Sequence, residues 1–305
     1  MEDMAADQGQ PDIADEAPFE PGQELGHEAR CQWVSLHQAS QHFVEYTGST
    51  QSSGHIKPLH WYAACRLVVE GGFHPDDVSP RPPFDVERTK DGPRLIVDPR
   101  RGHWSEATVF GGLKTKNVDV VAAKPGLGPV LAISHKGVTG AFRNLTNRME
   151  ETIGECTNLH IAYPALVLGY FVALRANRTA TKANDLAFQD DGTVVDGIRR
   201  FHAALQELTG RKGIRDETSR YEAIAMLLLE TETQRAGIRV ADFPPLTGTL
   251  AMDGFFDQLY RAYDERYVYG APDLRKVTAR IEWLPDSPAL LMPPLGLDYE
   301  PRLKG

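Results

Sequence analysis

The chain has 305 residues, 41% hydrophobic and 25% charged, with a formal net charge of −9. That is the composition of an ordinary soluble globular protein with enough length for a sizeable core. Its longest apolar run, Ala165 to Leu174, is too short to span a bilayer, and no basic-then-apolar leader opens the sequence, so membrane-spanning and secreted classes are not expected.

The negative charge is local. Residues 1–29 carry nine acids and no Lys or Arg, which leaves 33 acids against 33 bases in the remainder. This segment is poor in large apolar residues and contains Pro11, Pro18 and Pro21, so residues 1–30 are expected to be a disordered acidic tail. Such a tail either solubilises the protein or competes with nucleic acid for a basic groove. Cys31, Cys65 and Cys156 are odd in number and far apart, which argues against a disulfide framework or a zinc site and for a reducing, cytoplasmic setting.

Residues 31–305 read as one domain. The segment Trp33–Tyr46 predicts a helix, and Thr47–Gly54 a Ser/Thr/Gly loop. Pro58 suits a first helical turn, and Gly71-Gly72 closes the apolar helix that follows it. The Pro- and Asp-rich stretch Phe73–Phe84 reads as loop, and Leu95-Ile96-Val97 as a short strand. Strands at 118–123 and 129–136 flank the turn Lys124-Pro125-Gly126-Leu127-Gly128. Alternation then places Ser134 and Lys136 on one face, with Ile133 and His135 on the other. Asp119 shares the Ser134/Lys136 face if the register pairs 119 with 134.

A helix is expected from Ala141 to Cys156, with Phe142, Leu145, Met149, Thr152, Ile153 and Cys156 on its buried side. At about 100° per residue from Met149, Glu150 borders that side and Glu151 faces solvent. The unbroken apolar run Ala165–Leu174 predicts a central strand. Stretches 193–209 and 217–235 read as helical, before a mixed C-terminal part.

Asp119 lies among Val118, Val120 and Val121, where a strand interior disfavours Asp unless it has a partner or a metal. An acid, a lysine and a second acid gathered by a hairpin and its following helix suit metal-assisted phosphodiester hydrolysis. The carboxylates hold the cation and the lysine steadies developing negative charge. As ordinary alternatives, Asp119 is a solvated strand-end acid, Lys136 a surface lysine, and Glu150 a surface charge beside Arg143 or Asn147. Ser134-His135 does not make a serine hydrolase, since there is no Gly-x-Ser-x-Gly elbow and adjacent strand residues face opposite ways.

The order of a helix, a strand with Asp119, a hairpin strand with Lys136, a helix and a buried strand resembles the PD-(D/E)xK nuclease superfamily, which includes most type II restriction endonucleases. The similar stretch covers roughly Glu106–Arg175, within a catalytic core of about 95–180. Ser134 stands two before the lysine, where the superfamily has an acid. One branch carries Ser-x-Lys with a displaced glutamate fourteen residues after the lysine, which here is Glu150; its Asp lies further upstream than Asp119 does. The resemblance implies an α/β fold, a restriction-endonuclease-like mixed sheet flanked by helices, with additional N- and C-terminal helical regions. It implies a Mg2+ ion, with Mn2+ as substitute, on Asp119, Glu150 and the backbone carbonyl of His135. Lys136 would activate the water, and Glu106, or Glu70, would add a further acid. Lys114, Lys116, Arg143 and Arg148 would meet phosphates. Double-stranded DNA as substrate and a homodimer are expected with it. The second expectation is a nuclease-fold module that has lost catalysis, with Ser134 marking the loss.

Overall fold

A computed structural model describes residues 35–50, 53–291 and 297–305. The expected acidic tail at 1–30 lies outside these residues, as do the first residues of the helix predicted from Trp33.

Helix α1 (Leu36–Glu45) starts where the Ser35 hydroxyl accepts the Gln38 amide, which satisfies one of the free N–H groups of the first turn. Helix α2 (Lys57–Val69) begins with Pro58 in its first turn and is buried at every position except Arg66. A helix apolar all round belongs inside a protein rather than on it. It stops at Gly71-Gly72, where Gly72 takes a left-handed φ of 68° and a Cβ would lie 2.2 Å from the Ile281 carbonyl.

The central sheet has five strands in the order β1 (Val78–Ser79), β6 (Val120–Lys124), β7 (Gly128–Val138), β8 (Val167–Ala176) and β9 (Ala223–Glu230). Pairs β1–β6 and β6–β7 are antiparallel, whereas β7–β8 and β8–β9 are parallel, so the sheet is mixed. Two small hairpins stand apart from it: β2 (Phe84–Arg88) with β3 (Pro93–Val97), and β4 (Ala107–Phe110) with β5 (Thr115–Val118). Helix α3 (Leu145–Ala162) links β7 to β8, and α4 (Asp196–Leu208) links β8 to β9. Such parallel pairs need crossover helices, which cover the sheet.

Each face of the sheet has its own core. On one, Ile133, Phe171 and Ala225 pack with α1, α2 and the C-terminal helix α5 (Phe255–Tyr263). On the other, Ala132, Tyr170 and Ile224 pack with α3 and α4. The chain is thus α/β with a mixed five-stranded sheet flanked by helices. Among the described residues no helix is long and apolar enough to cross a membrane.

Two local expectations are corrected. Residues 217–235, read as helical, contain strand β9, buried at all eight positions. An unbroken run such as Ala-Ile-Ala-Met-Leu-Leu-Leu has neither period, so pattern alone does not separate a buried strand from a buried helix. The stretch 73–84, read as loop, contains the edge strand β1, limited to two residues by the Pro80, Pro82 and Pro83 that follow it.

Candidate active site

The hairpin sets the first contact. Val120 pairs with Ile133, so one step back Asp119 stands opposite Ser134, yet its carboxylate turns towards His60 and does not share the Ser134/Lys136 face. Asp119 is not inside a strand. The chain bends there, ending β5, which pairs with β4, and starting β6, which pairs with β7. From this bend the carboxylate reaches over the edge of β7, where its Oδ2 accepts the His135 backbone amide at 2.6 Å. Its Oδ1 lies 3.8 Å from His60 Nε2, on the α2 side of the sheet.

His135 faces that same side. Its ring lies 4.8 Å from the His60 ring and 5.1 Å from Phe171, while Trp104 stacks on His60 at 5.9 Å. One ring nitrogen of each histidine and one Asp119 oxygen all lie within 4.8 Å of one another. Both histidines are buried, and both ring nitrogens of His60 and Nδ1 of His135 find no hydrogen-bond partner among the described residues. Burial, helped by Lys136, His55 and Lys57, lowers His60 to about 3. Burial also holds His135 well below the ordinary histidine value. Burial raises Asp119 to about 6, against the pull of the His135 amide and Lys136.

Ser134 and Lys136 point to the opposite, α3 side. The Ser134 hydroxyl donates to Glu155 of α3, and Glu155 is paired with Lys116 at 2.9 Å. Lys136 is half-buried, and its side chain has no hydrogen bond or ion pair among the described residues. It borders two concavities. One, of about 510 Å³, holds Asp119, His60, His135 and Arg148; the other, of about 480 Å³, holds Lys114, Lys116, Glu150 and Glu155.

The fold therefore brings Asp119 and Lys136 together, with Arg148 on the same cleft, but not Glu150. Glu150 is exposed and stays outside the group formed around Asp119. The reason is the phase of α3. Its buried positions are Leu145, Thr152, Glu155, Cys156, Asn158, Leu159 and His160, while Met149 is only half-buried. Taken from Thr152, Glu150 lies about 200° round the helix and Glu155 only about 60°. The carboxylate that meets the strand serine is thus Glu155. Glu106 is exposed and lines neither concavity, and Arg143 is exposed in the turn before α3. Glu70 is bound to Arg66 at 2.7 Å. His135 joins the group through its ring and amide.

Glu155 is a residue that sequence reasoning missed, and His60 is one that it reads as a core or surface histidine rather than a ligand. His60 has a signal in hindsight, as a histidine inside a helix otherwise apolar from Pro58 to Cys65. Asp119 with two neutral imidazoles suits a divalent cation, but it is not the all-oxygen set expected around Mg2+, which favours carboxylates, carbonyls and waters. Compared with known protein families, with curated proteins and with solved structures, the chain matches none.

Two expected results test this geometry. Glu155→Ala should destabilise the fold by about 1–3 kcal/mol, because it strands the buried Ser134 hydroxyl and the partly buried Lys116. Glu150→Ala should change stability by less than about 0.5 kcal/mol. Urea denaturation of the two variants checks the contrast, and equal losses would refute the assigned phase of α3.

The second concerns pH. His60, at about 3, and His55, lowered to about 4 mainly by burial, stay neutral in the fold while an unfolded histidine takes up a proton below about 6.5. Their contribution is full above that value and is lost as pH falls. Asp119 acts oppositely between about 4 and 6, where the folded state holds the extra proton. The histidine shifts are larger and more numerous, so stability should fall from pH 7 to pH 4. Urea midpoints at pH 7, 5.5 and 4 should decrease in that order, and a rising series would contradict the assignment.

Proposed function

We propose that the chain is a divalent-metal-dependent endonuclease acting on double-stranded DNA, of the restriction type, working as a homodimer. The observation that carries this reading is that Lys136, unpaired among the described residues, borders the same cleft as the desolvated carboxylate of Asp119. The hairpin, crossover helix and parallel strand around them agree with the order of elements in the PD-(D/E)xK nucleases.

A divalent ion at Asp119 would polarise a phosphate and make its bound water more acidic. The remaining work falls to the chain. Lys136 offers an ammonium to the phosphate oxygen on which charge grows during in-line attack. The His135 amide fixes the Asp119 carboxylate in place. Arg148 on the cleft, and Lys114 and Lys116 in the adjoining concavity, supply positive charge along a path for the DNA backbone.

A second reading, an inactive module that binds nucleic acid or a partner, is favoured by one observation. Glu155, the acid nearest the serine position, is already engaged by Ser134 and Lys116. Incubation with covalently closed plasmid and Mg2+ or Mn2+ separates the two. The endonuclease reading expects nicked and linear products that disappear with chelator; intact plasmid under every ion tried would favour the inactive module.

A further inference from the structure

Buried histidine nitrogens ordinarily find a donor or an acceptor, because leaving such a group unpaired costs its full desolvation. Here three such nitrogens belong to the two histidines beside one acid, Nδ1 and Nε2 of His60 and Nδ1 of His135, and one nitrogen of each ring lies within 4.8 Å of an Asp119 oxygen. His60 and His135 are 1% and 3% exposed, so bulk water does not satisfy them. Among the described residues no other group of three or more His, Cys, Asp or Glu side chains converges this closely.

The three residues come from separate elements. His60 sits in α2, Asp119 at the bend before β6, and His135 on β7. None of them is placed by local sequence alone. The packing of α2 on the sheet face that carries Ile133 and Phe171 aims His60 at Asp119. Aromatic rings wall the group, Trp104 against His60 and Phe171 against His135, and the cleft gives access from one side.

We propose that His60, Asp119 and His135 form a binding site for a first-row transition-metal dication of the Mn2+ to Zn2+ series, in preference to Mg2+. The chemistry of the donors carries the choice. Imidazole suits borderline ions of that series, whereas Mg2+ takes oxygen donors and keeps its waters. Two donors about 2.1 Å from a tetrahedral ion lie about 3.4 Å apart, so a group whose donor atoms lie within 4.8 Å of one another must close by up to about 1.4 Å to bind. The ligand set leaves the cleft side open, where a water or a phosphate oxygen completes the shell. The site deepens the nuclease reading, and rests on it only for the use made of the ion.

The test measures binding without DNA, on chain stripped of metal by chelator. Thermal unfolding of the wild type is followed with Mn2+, Co2+ or Mg2+ at matched concentrations. Mn2+ and Co2+ at about a hundred times their dissociation constant should raise the melting temperature by about 5 °C, with Mg2+ giving little. Bound Mn2+ should show nitrogen modulation in its spin-echo spectrum, as imidazole ligation requires. Asp119→Asn and His135→Gln should each weaken Co2+ binding by at least about a hundredfold, since even outer-shell losses cost tenfold or more. His60→Gln should do the same; should that buried variant not fold, the wild-type spectrum and His135→Gln decide. Equal stabilisation by Mg2+ and Co2+, absence of nitrogen modulation, or wild-type affinity in His135→Gln would overturn the site. Tight binding without plasmid cleavage would keep the site and remove the nuclease reading. Mg2+-driven cleavage indifferent to His135→Gln would do the reverse.

Discussion

Asp119→Asn should abolish cleavage and at the same time stabilise the protein. The substitution is nearly isosteric, and its amide oxygen still accepts the His135 N–H that Asp119 Oδ2 holds at 2.6 Å. What it removes is the negative charge, which is the part a divalent ion requires. Loss of a direct ligand removes several kcal/mol of transition-state stabilisation, a fall in rate of about a thousandfold or more. The same charge is unfavourable to the empty fold. Burial raises the Asp119 carboxyl to about 6 despite the His135 amide and Lys136, so ionising it at neutral pH opposes folding by up to about 3 kcal/mol. The gain from Asn should therefore be present at pH 8 and fade towards pH 5, where Asp119 in the folded state takes up a proton. Single-turnover cleavage with urea denaturation at both pH values checks the two halves. A variant that cleaves at the wild-type rate, or that is destabilised at pH 8, would contradict the role given to Asp119.

The largest expected loss of stability lies at the other end of the sheet. Glu222, just before β9, has a fully buried side chain that takes Arg211 at 2.9 Å, Arg266 at 2.6 Å and the Leu168 amide at 2.7 Å. Burial alone would raise its carboxyl, yet His160, Arg266 and the Leu168 amide hold it below the ordinary value. Glu222→Ala leaves Arg211, also fully buried, and Arg266 without their counter-charge, which should cost about 3–5 kcal/mol. Glu217→Ala, which breaks the exposed pair with Arg220, should cost less than about 0.5 kcal/mol. Urea denaturation reads both. Because the cleft is built at the C-terminal end of β7 and Glu222 lies before the start of β9, folded Glu222→Ala should keep His60, Asp119 and His135 in place.

The parts of this fold that were legible in the sequence are those decided locally. The β6–β7 hairpin followed from two β-branched runs around a Pro-Gly turn, and the central strand β8 from an unbroken apolar run. The opposite facing of Ser134 and His135 followed from strand alternation and is what separates the Glu155 side from the His60 side. Parts decided by long-range packing were not legible. Strand β9 has no polar face to reveal its period, since its second face is covered by α4 and its first by α5. The choice between Glu150 and Glu155 turned on a rotation of α3, which depends on how Thr152, Cys156 and Leu159 dock on the sheet. His60 carries no motif; only the docking of α2 brings it within 3.8 Å of Asp119. Asp119 itself was legible as an acid out of place among valines, but its position at a bend between two hairpins was not.

A paired measurement on Lys136→Ala, using one labelled DNA duplex, tests the proposal that this cleft cuts DNA. Binding is measured without added metal, and cleavage under single-turnover conditions with Mn2+. No hydrogen bond or ion pair holds the Lys136 side chain among the described residues, so its removal should leave the fold and, to within about threefold, the affinity intact. Cleavage by the variant should fall by about a thousandfold, because the charge that meets the phosphate oxygen during attack is gone. Equal cleavage by wild type and Lys136→Ala would contradict the assignment of this cleft as a nuclease active site.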